Sequence, residues 1–140
     1  MTELNFNTGK RSFNINGVVE VSFNDTDASF VEKLYNVFEG LDAKQERYRS
    51  RSEKTADKKE IFSIVRDMDR DIRNDINDLF GKDVCSPLFG DMNVFALADG
   101  LPLWANLMLA IMEQVDSAFA REQNATNPRV QKYTAKWQRK

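Results

Sequence analysis

The sequence contains no histidine and only one cysteine, Cys85, and these two absences exclude several kinds of chemistry. Histidine is the commonest general base and the commonest metal ligand in proteins. Without it, a chain with one thiol lacks the ligands of a zinc site, and one cysteine cannot form an internal disulfide. We therefore expect a protein that is not an enzyme and has no cofactor and no metal. Cys85, beside Val84 and Pro87, is interpreted as a buried structural residue.

Long apolar runs and an excess of one charge are also missing. No stretch approaches the ~18 consecutive apolar residues of a membrane span. Residues 1–5 lack the basic and apolar regions of a signal peptide. We therefore expect a cytoplasmic protein without membrane contact. The 20 basic and 22 acidic residues nearly cancel, so the overall charge indicates neither a nucleic acid nor an acidic partner.

The first 24 residues have the pattern of a β-hairpin. The dipeptide Asn16-Gly17 favours a type I′ turn, because both of its residues tolerate positive φ. Apolar residues alternate with polar ones on both sides of this turn, at Phe13, Ile15, Val19, Val21 and Phe23. Leu4 and Phe6 leave open a third, preceding strand, joined through Thr8-Gly9-Lys10.

Residues 24–59 predict one helix followed by a segment that has two interpretations. The stretch from Asn24 to Asp27 is rich in N-cap residues, and Ser29 and Glu32 match a capping box. An apolar face follows, formed by Phe30, Leu34, Phe38 and Leu41. Gly40 is one place where the helix can end. The polar stretch 42–59 is then either a solvated extension of that helix or a mobile linker.

The clearest predicted helix comes next. Its apolar residues recur every three or four positions, as in Ile61, Val65, Met68, Ile72, Ile76 and Leu79. Gly81 follows the last of them and offers the C′ residue at which such a helix stops.

Three aspartates on this helix imitate the opening of a calcium loop, at Asp67, Asp69 and Asp71. A calcium loop needs glycine at its sixth position and glutamate at its twelfth. Ile72 and Asp78 occupy those places. We interpret the aspartates as part of a salt-bridged helix face, with Asp69 and Arg73 four residues apart.

The remaining sequence predicts a short helix with loops over 82–100, and then a last long helix beginning near Pro102. That helix is apolar on almost all sides up to Met112, which indicates a central, buried position. The predicted fold is therefore mainly helical α+β, with a hairpin of two or three strands packed against three to four helices. We expect a single domain over 1–128, followed by a basic C-terminal tail or short helix over 129–140.

Two basic segments are candidate partner-binding surfaces. Arginine alternates with tyrosine and serine in the first, where Arg47, Tyr48, Arg49 and Arg51 suit contacts with phosphates. The second is the tail, where aromatic and basic side chains recur at helical spacing, at Arg129, Lys132, Tyr133, Lys136 and Trp137. The tail suits docking into a groove of a partner or packing on its own domain.

Several short segments occur in a familiar order along the chain. They are Phe13-Asn14-Ile15-Asn16-Gly17, Phe30-Val31-Glu32-Lys33-Leu34, Leu79-Phe80-Gly81-Lys82-Asp83-Val84-Cys85, Leu88-Phe89-Gly90 and a late apolar helix that carries Trp104. In this order the chain resembles the small tail assembly chaperone-like proteins of phages and prophages of Gram-positive bacteria.

The resemblance implies an assembly factor in the bacterial cytoplasm that associates with itself and coats the tape measure protein while the tail tube forms. It implies no catalytic residues. A second hypothesis is a structural or regulatory adaptor, such as a tail or head–tail component. Such an adaptor would contact nucleic acid through Arg47 to Arg51 and the 129–140 tail.

Overall fold

The N-terminal hairpin has two strands in the computed structural model, which describes residues 1–124. Strand β1 (Arg11–Ile15) pairs antiparallel with β2 (Val19–Phe23). Asn16 and Gly17 both have positive φ, and Val18 N–H donates to the Ile15 carbonyl at 3.1 Å. The predicted turn is therefore confirmed. The optional third strand is absent. Residues 1–10 contain no strand, and the side chains of Leu4 and Phe6 are exposed.

Helix α1 (Ala28–Glu53) is longer than its apolar face suggests. Its N-cap is Asp27, whose carboxylate accepts from Ser29 N–H at 2.9 Å, so Ser29 lies inside the helix and is not the cap. The helix passes through Gly40 without a break. Of the two interpretations of 42–59, the helical extension is correct up to Glu53, and the chain then turns before the next helix.

Helix α2 (Lys58–Phe80) runs antiparallel to α1 and is capped by Asp57. Four buried residues at intervals of four form its inner face, at Ile64, Met68, Ile72 and Ile76. Ile64 was missing from the predicted stripe, whereas three members of that stripe, Ile61, Val65 and Leu79, are only partly buried. Gly81 ends the helix at φ 67°, where it donates to the carbonyls of Asn77 and Asp78, as predicted.

A short helix, α3 (Cys85–Phe89), follows, and then a second, very small hairpin of β3 (Leu97–Ala98) and β4 (Leu101–Pro102). Its turn, Asp99-Gly100, has positive φ at both residues. This hairpin was not predicted, although Asp-Gly is a strong signal for such a turn. Helix α4 (Leu103–Asn124) begins directly after β4, close to the predicted start.

One hydrophobic core joins β2 to the four helices. Leu34, Ile72, Ile76 and Met108 are fully buried within it, and Trp104 stands near the centre with its Nε1–H donating to Gln45 Oε1 at 3.0 Å. Phenylalanine rings attach the hairpin to the helices. Phe23 stacks between Phe13 and Phe30, and the Phe80 ring lies tilted with its centre 6.3 Å from the centres of Phe23 and Phe30. The described residues thus form a mainly helical α+β fold in which the hairpin precedes four helices, as predicted.

Candidate protein-binding site

The arginine-rich run on α1 does not form one continuous basic surface. Arg49 extends along the outside of the helix, where its guanidinium lies 3.7 Å from the Glu46 carboxylate and 3.5 Å from that of Glu53. Arg47, Tyr48 and Arg51 lie on the other side, around a recess of about 350 Å³ that faces α2. The structure therefore separates Arg49 from the three residues predicted to act with it.

The recess belongs to a polar seam between two helices. We define the α1–α2 seam as Lys44, Tyr48 and Arg51 on α1 with Asp71 and Asp75 on α2. Lys44 Nζ lies 2.6 Å from Asp75 Oδ2, and the Tyr48 hydroxyl donates to the Asp71 carboxylate. The Arg51 guanidinium stacks over the Tyr48 ring, 5.3 Å from its centre. Lys44 of α1 thus pairs with an aspartate of α2, and Asp71 lines the same recess as Arg47 and Arg51, which weakens the field available to a phosphate.

The hydrogen bond to Asp71 also changes the acidity of Tyr48. Because Asp71 accepts the phenolic proton, and because the ring is partly desolvated, the pKa of Tyr48 rises above its ordinary value of 10.0. The neighbouring Arg51 opposes this shift, but it is a smaller influence. Tyr48 is therefore a neutral hydrogen-bond donor at physiological pH.

Each of the three aspartates that imitate a calcium loop has its own partner. Asp67 pairs with Arg70, Asp71 with Tyr48, and Asp69 with Arg73 at 3.0 Å. Since the three carboxylates turn to different neighbours, they do not converge on one point. The predicted Asp69–Arg73 salt bridge is confirmed.

The Asp69–Arg73 pair also holds down the segment that follows α3. Arg73 donates to the carbonyls of Gly90 and Met92 at 2.9 and 2.7 Å, and Asp69 accepts from Val94 N–H at 2.8 Å. These bonds fix the chain before β3 against α2. The spacing of Asp69 and Arg73 predicts their salt bridge, but it does not predict that the pair fixes residues 90–94.

A second polar anchor fixes the start of α3. Asn77 Oδ1 accepts from the backbone N–H groups of Val84 and Cys85, while its amide donates to Asp83. Asp83 in turn accepts from the side chain and backbone of Ser86, and these bonds lower the pKa of Asp83. The Cys85 side chain is fully buried, as predicted, and burial raises the pKa of its thiol to about 12. The thiol therefore stays protonated and unreactive at neutral pH.

A buried carboxylate that the sequence analysis counted only among cap residues lies between the hairpin and α4. Asp25 is 2% exposed. It accepts from Gln114 Nε2 at 3.0 Å and from Arg11 at 3.4 Å, and Arg121 lies 3.7 Å away. Partners so distant along the chain left no local signal of this contact. Asp25 thereby connects β1 with the second half of α4.

Two adjoining concave surfaces lie along α4. We call the first, of about 540 Å³, the client groove. Its walls come from the hairpin turn, α3, the Asp99–Leu101 turn and one face of α4. Most of its lining is apolar, including Leu88, Phe89, Leu101, Leu103 and Leu109. Asp99 and Glu113 are the charged residues in the lining that the structure describes, and both are acidic.

We call the second concave surface, of about 260 Å³, the edge cleft. It lies between the hairpin and α4. Within the described part of the chain it is lined by uncharged side chains, among them Phe13, Ile15, Val21, Phe23, Leu107, Ala110 and Ile111. Over residues 1–124, β2 is the strand partner of β1, so the other edge of β1 is unpaired. The edge cleft meets the client groove at Ile15, Asn16, Leu107 and Ala110.

The predicted tail residues Arg129, Lys132, Tyr133, Lys136 and Trp137 lie outside the described residues. No helix within residues 1–124 has both the length and the hydropathy needed to cross a bilayer. No family model, no curated protein and no solved structure matches this chain.

Proposed function

We propose that this chain is a non-enzymatic assembly factor that binds a client protein in the client groove and also binds a second copy of itself. The observation that carries the proposal is the composition of that groove. It combines an apolar lining with charges of one sign, at Asp99 and Glu113. Apolar surface supplies affinity, while charges of one sign select the partner and set its orientation.

The groove suits an amphipathic helix that carries apolar side chains on one face and lysine or arginine beside them. One face of α4 forms its floor, with Leu103, Leu107 and Ala110 spaced by four and three residues. Helix-in-groove recognition uses anchors at the same spacing on the ligand. Basic residues flanking such anchors would meet Asp99 and Glu113 at the rim.

Two observations support a role without catalysis. The Cys85 thiol is buried and its pKa is about 12, so it is a poor nucleophile. The raised pKa of Tyr48 makes that phenol a poor general base near neutral pH. We propose the class that the sequence resembles, a cytoplasmic phage tail assembly chaperone whose client is the tape measure protein. A long helical client would supply amphipathic segments of the required kind.

The nucleic-acid-binding adaptor remains the second hypothesis, but the geometry of α1 argues against it. Arg49 pairs with two glutamates, and the recess that contains Arg51 is also lined by the Asp71 carboxylate. A phosphate backbone entering the recess would meet both signs of charge. What remains for this hypothesis is the basic sequence of the 129–140 segment.

The test is a titration with purified helical segments of a phage tape measure protein. We expect saturable binding that Leu101→Lys weakens about tenfold or more, because this change removes an apolar contact and brings a cation to the site of a basic ligand. Leu101 is 38% exposed and lines the groove. Leu97→Lys is the matched control, since Leu97 lies in the same small hairpin, is 72% exposed and does not line the groove.

Equal losses in Leu101→Lys and Leu97→Lys would contradict the assignment of the groove. No binding by the unmodified chain to any tape measure segment would contradict the proposed function itself. A genome in which no tape measure gene lies near this one would argue against the proposed class of protein.

A further inference from the structure

We propose that two copies of this chain exchange their N-terminal arms. We define the arm as residues 1–10. In the proposed dimer the arm of each copy lies as a strand along the unpaired edge of β1 in the other copy and places Leu4 and Phe6 in its edge cleft. This extends the self-association included in the proposed function, but it does not depend on whether the client groove binds a client.

The arm leaves the body of the protein at a fixed point. Asn24 Nδ2 donates to the Thr8 carbonyl at 2.8 Å, and Gly9 N–H donates to Asn7 Oδ1 at 2.8 Å. Gly9 has φ +76°, and a Cβ there would stand 2.5 Å from Asn24 Nδ2, so a side chain at this position would strain the backbone and displace the Asn24 amide. The chain therefore has a definite course just before β1.

Beyond this anchor, the arm exposes the side chains that a strand would bury. Leu4 is 87% exposed and Phe6 is 82% exposed. Two residues apart, they would lie on one face of an extended strand, with Asn5 and Asn7 on the opposite face. The arm is not folded back on its own β1 in the structure. The apolar pair consequently finds no cover within the described part of its own chain.

The edge cleft has the properties that such a strand requires. Its volume of about 260 Å³ lies below the roughly 300–1,000 Å³ typical of small-molecule sites and suits one or two side chains. Four consecutive residues, 13–16, of β1 and its turn line the cleft, and the edge of β1 away from β2 has backbone groups that can accept another strand. An exposed strand edge beside apolar surface is also a feature that proteins usually cover.

Charge distinguishes the arm from the client. Residues 4–8 of the arm carry no charge, and neither do the described residues that line the edge cleft. The client groove, by contrast, has Asp99 and Glu113 at its rim. The uncharged arm therefore matches the edge cleft, and a basic helix matches the client groove.

The expected interface is small but sufficient for a reversible dimer. Leu4 and Phe6 together would bury roughly 300 Å² in each arm. Each cleft would lose a similar area to the arm that it covers, and the dimer contains two arms and two clefts. The total buried area is then about 1,200 Å², the lower limit for specific interfaces. Exchange between two copies closes the assembly, since each copy gives one arm and receives one.

The first test is analytical ultracentrifugation of the full chain over a range of concentrations. We expect a concentration-dependent dimer whose dissociation constant rises about tenfold or more in Leu4→Ser/Phe6→Ser, because the anchoring side chains are lost. The control is Phe62→Ser, which removes a 60% exposed phenylalanine from the surface of α2 and should leave the dimer unchanged. A chain that stays monomeric, or a dimer that persists in the double variant, overturns the proposal.

Disulfide trapping then tests whose arm fills the cleft. Chains carrying Asn5→Cys, which keeps Leu4 and Phe6, and chains carrying Asn14→Cys on β1 are mixed and oxidised, and we expect the mixed disulfide as the main product. The native thiol does not interfere because Cys85 is fully buried. A chain carrying both substitutions that instead forms an intramolecular disulfide at high dilution would show an arm folded on its own cleft, which overturns exchange.

Repeating the client titration with Leu4→Ser/Phe6→Ser keeps the two proposals separate. We expect this variant to retain binding of the tape measure segment, because the arm fills the edge cleft and the client groove meets that cleft at only four lining residues. Loss of dimer with retained client binding supports both proposals. A dimer that depends on the arm in a chain that binds no client would leave arm exchange standing and remove the proposed function.

Discussion

The α1–α2 side of the molecule and the side where the hairpin meets α4 differ in how many of their side chains find partners within the fold. On the α1–α2 side, Lys44 and Tyr48 each reach a carboxylate on the neighbouring helix, and the apolar residues beneath them are fully buried. On the side where the hairpin meets α4, two apolar concave surfaces remain open. The charged segment is therefore used within the fold, whereas the apolar surface beside the hairpin is left uncovered in the described part of the chain.

Shortening a buried side chain under the seam should have the largest effect. We expect Ile72→Ala to lower the free energy of unfolding by about 2–5 kcal/mol, because Ile72 is fully buried and its loss leaves a cavity. The companion change, Leu103→Ala in the partly exposed wall of the client groove, should cost less than about 1.5 kcal/mol. Urea denaturation measures both. Equal losses would mean that the groove side is as tightly packed as the seam side.

Removing the buried carboxylate on the groove side should come next. Asp25→Ala leaves Gln114 Nε2 without its acceptor, and we expect a loss of about 1–3 kcal/mol in the free energy of unfolding. Arg11 is about half exposed, so water can solvate its charge and limit the loss. The control is Asp116→Ala, at an exposed position on α4, the helix that carries Gln114. Its free energy of unfolding should stay within about 0.5 kcal/mol of that of the unmodified chain. A neutral Asp25→Ala would indicate that Asp25 does not hold β1 to α4.

Tyr48→Phe should destabilise the seam by about 1 kcal/mol, because it removes the hydroxyl that donates to Asp71 from a partly exposed site. The pKa of Tyr48 is raised in the folded protein, so this contribution is fully present below the ordinary value of 10.0. It is lost as pH rises through the folded pKa. Thermal unfolding between neutral and strongly alkaline pH should therefore show a loss that is smaller in Tyr48→Phe. Tyr35→Phe, at an exposed position on α1, should retain the full loss.

The smallest change in stability is expected for the groove variant used in the binding test. Leu101→Lys should alter the free energy of unfolding by no more than about 0.5 kcal/mol, because the residue is partly exposed and lies in a two-residue strand. The effect of Leu101→Lys should therefore be confined to its affinity for the client. A large drop in the melting temperature would show that Leu101 supports the fold, and the loss of client affinity would then need a second groove variant, Leu109→Lys.

Local patterns predicted most of the elements but little of the site. The Asn16-Gly17 turn, the Gly81 stop and the start of α4 each follow from a preference of one or two residues, and each is confirmed. The extension of α1 beyond Leu41 has no apolar signal, because polar contacts with α2 and α4 support it. The predicted surface at Arg47 to Arg51 is divided because Arg49 pairs with Glu46 and Glu53 on α1, whereas Tyr48 reaches Asp71 on α2.

By itself, the sequence determined the order of the hairpin and helices, the absence of histidine chemistry and the burial of Cys85. These depend on composition, on periodicity and on the conformational preferences of glycine and asparagine, which act over a few residues. Tertiary structure decided which charges are used internally and where apolar surface stays open. Asp25 meets Gln114, and β1 lies beside Ala110, only after the chain has folded. Contacts between residues so far apart leave no local pattern, so the two concave surfaces on α4 became visible in the fold alone.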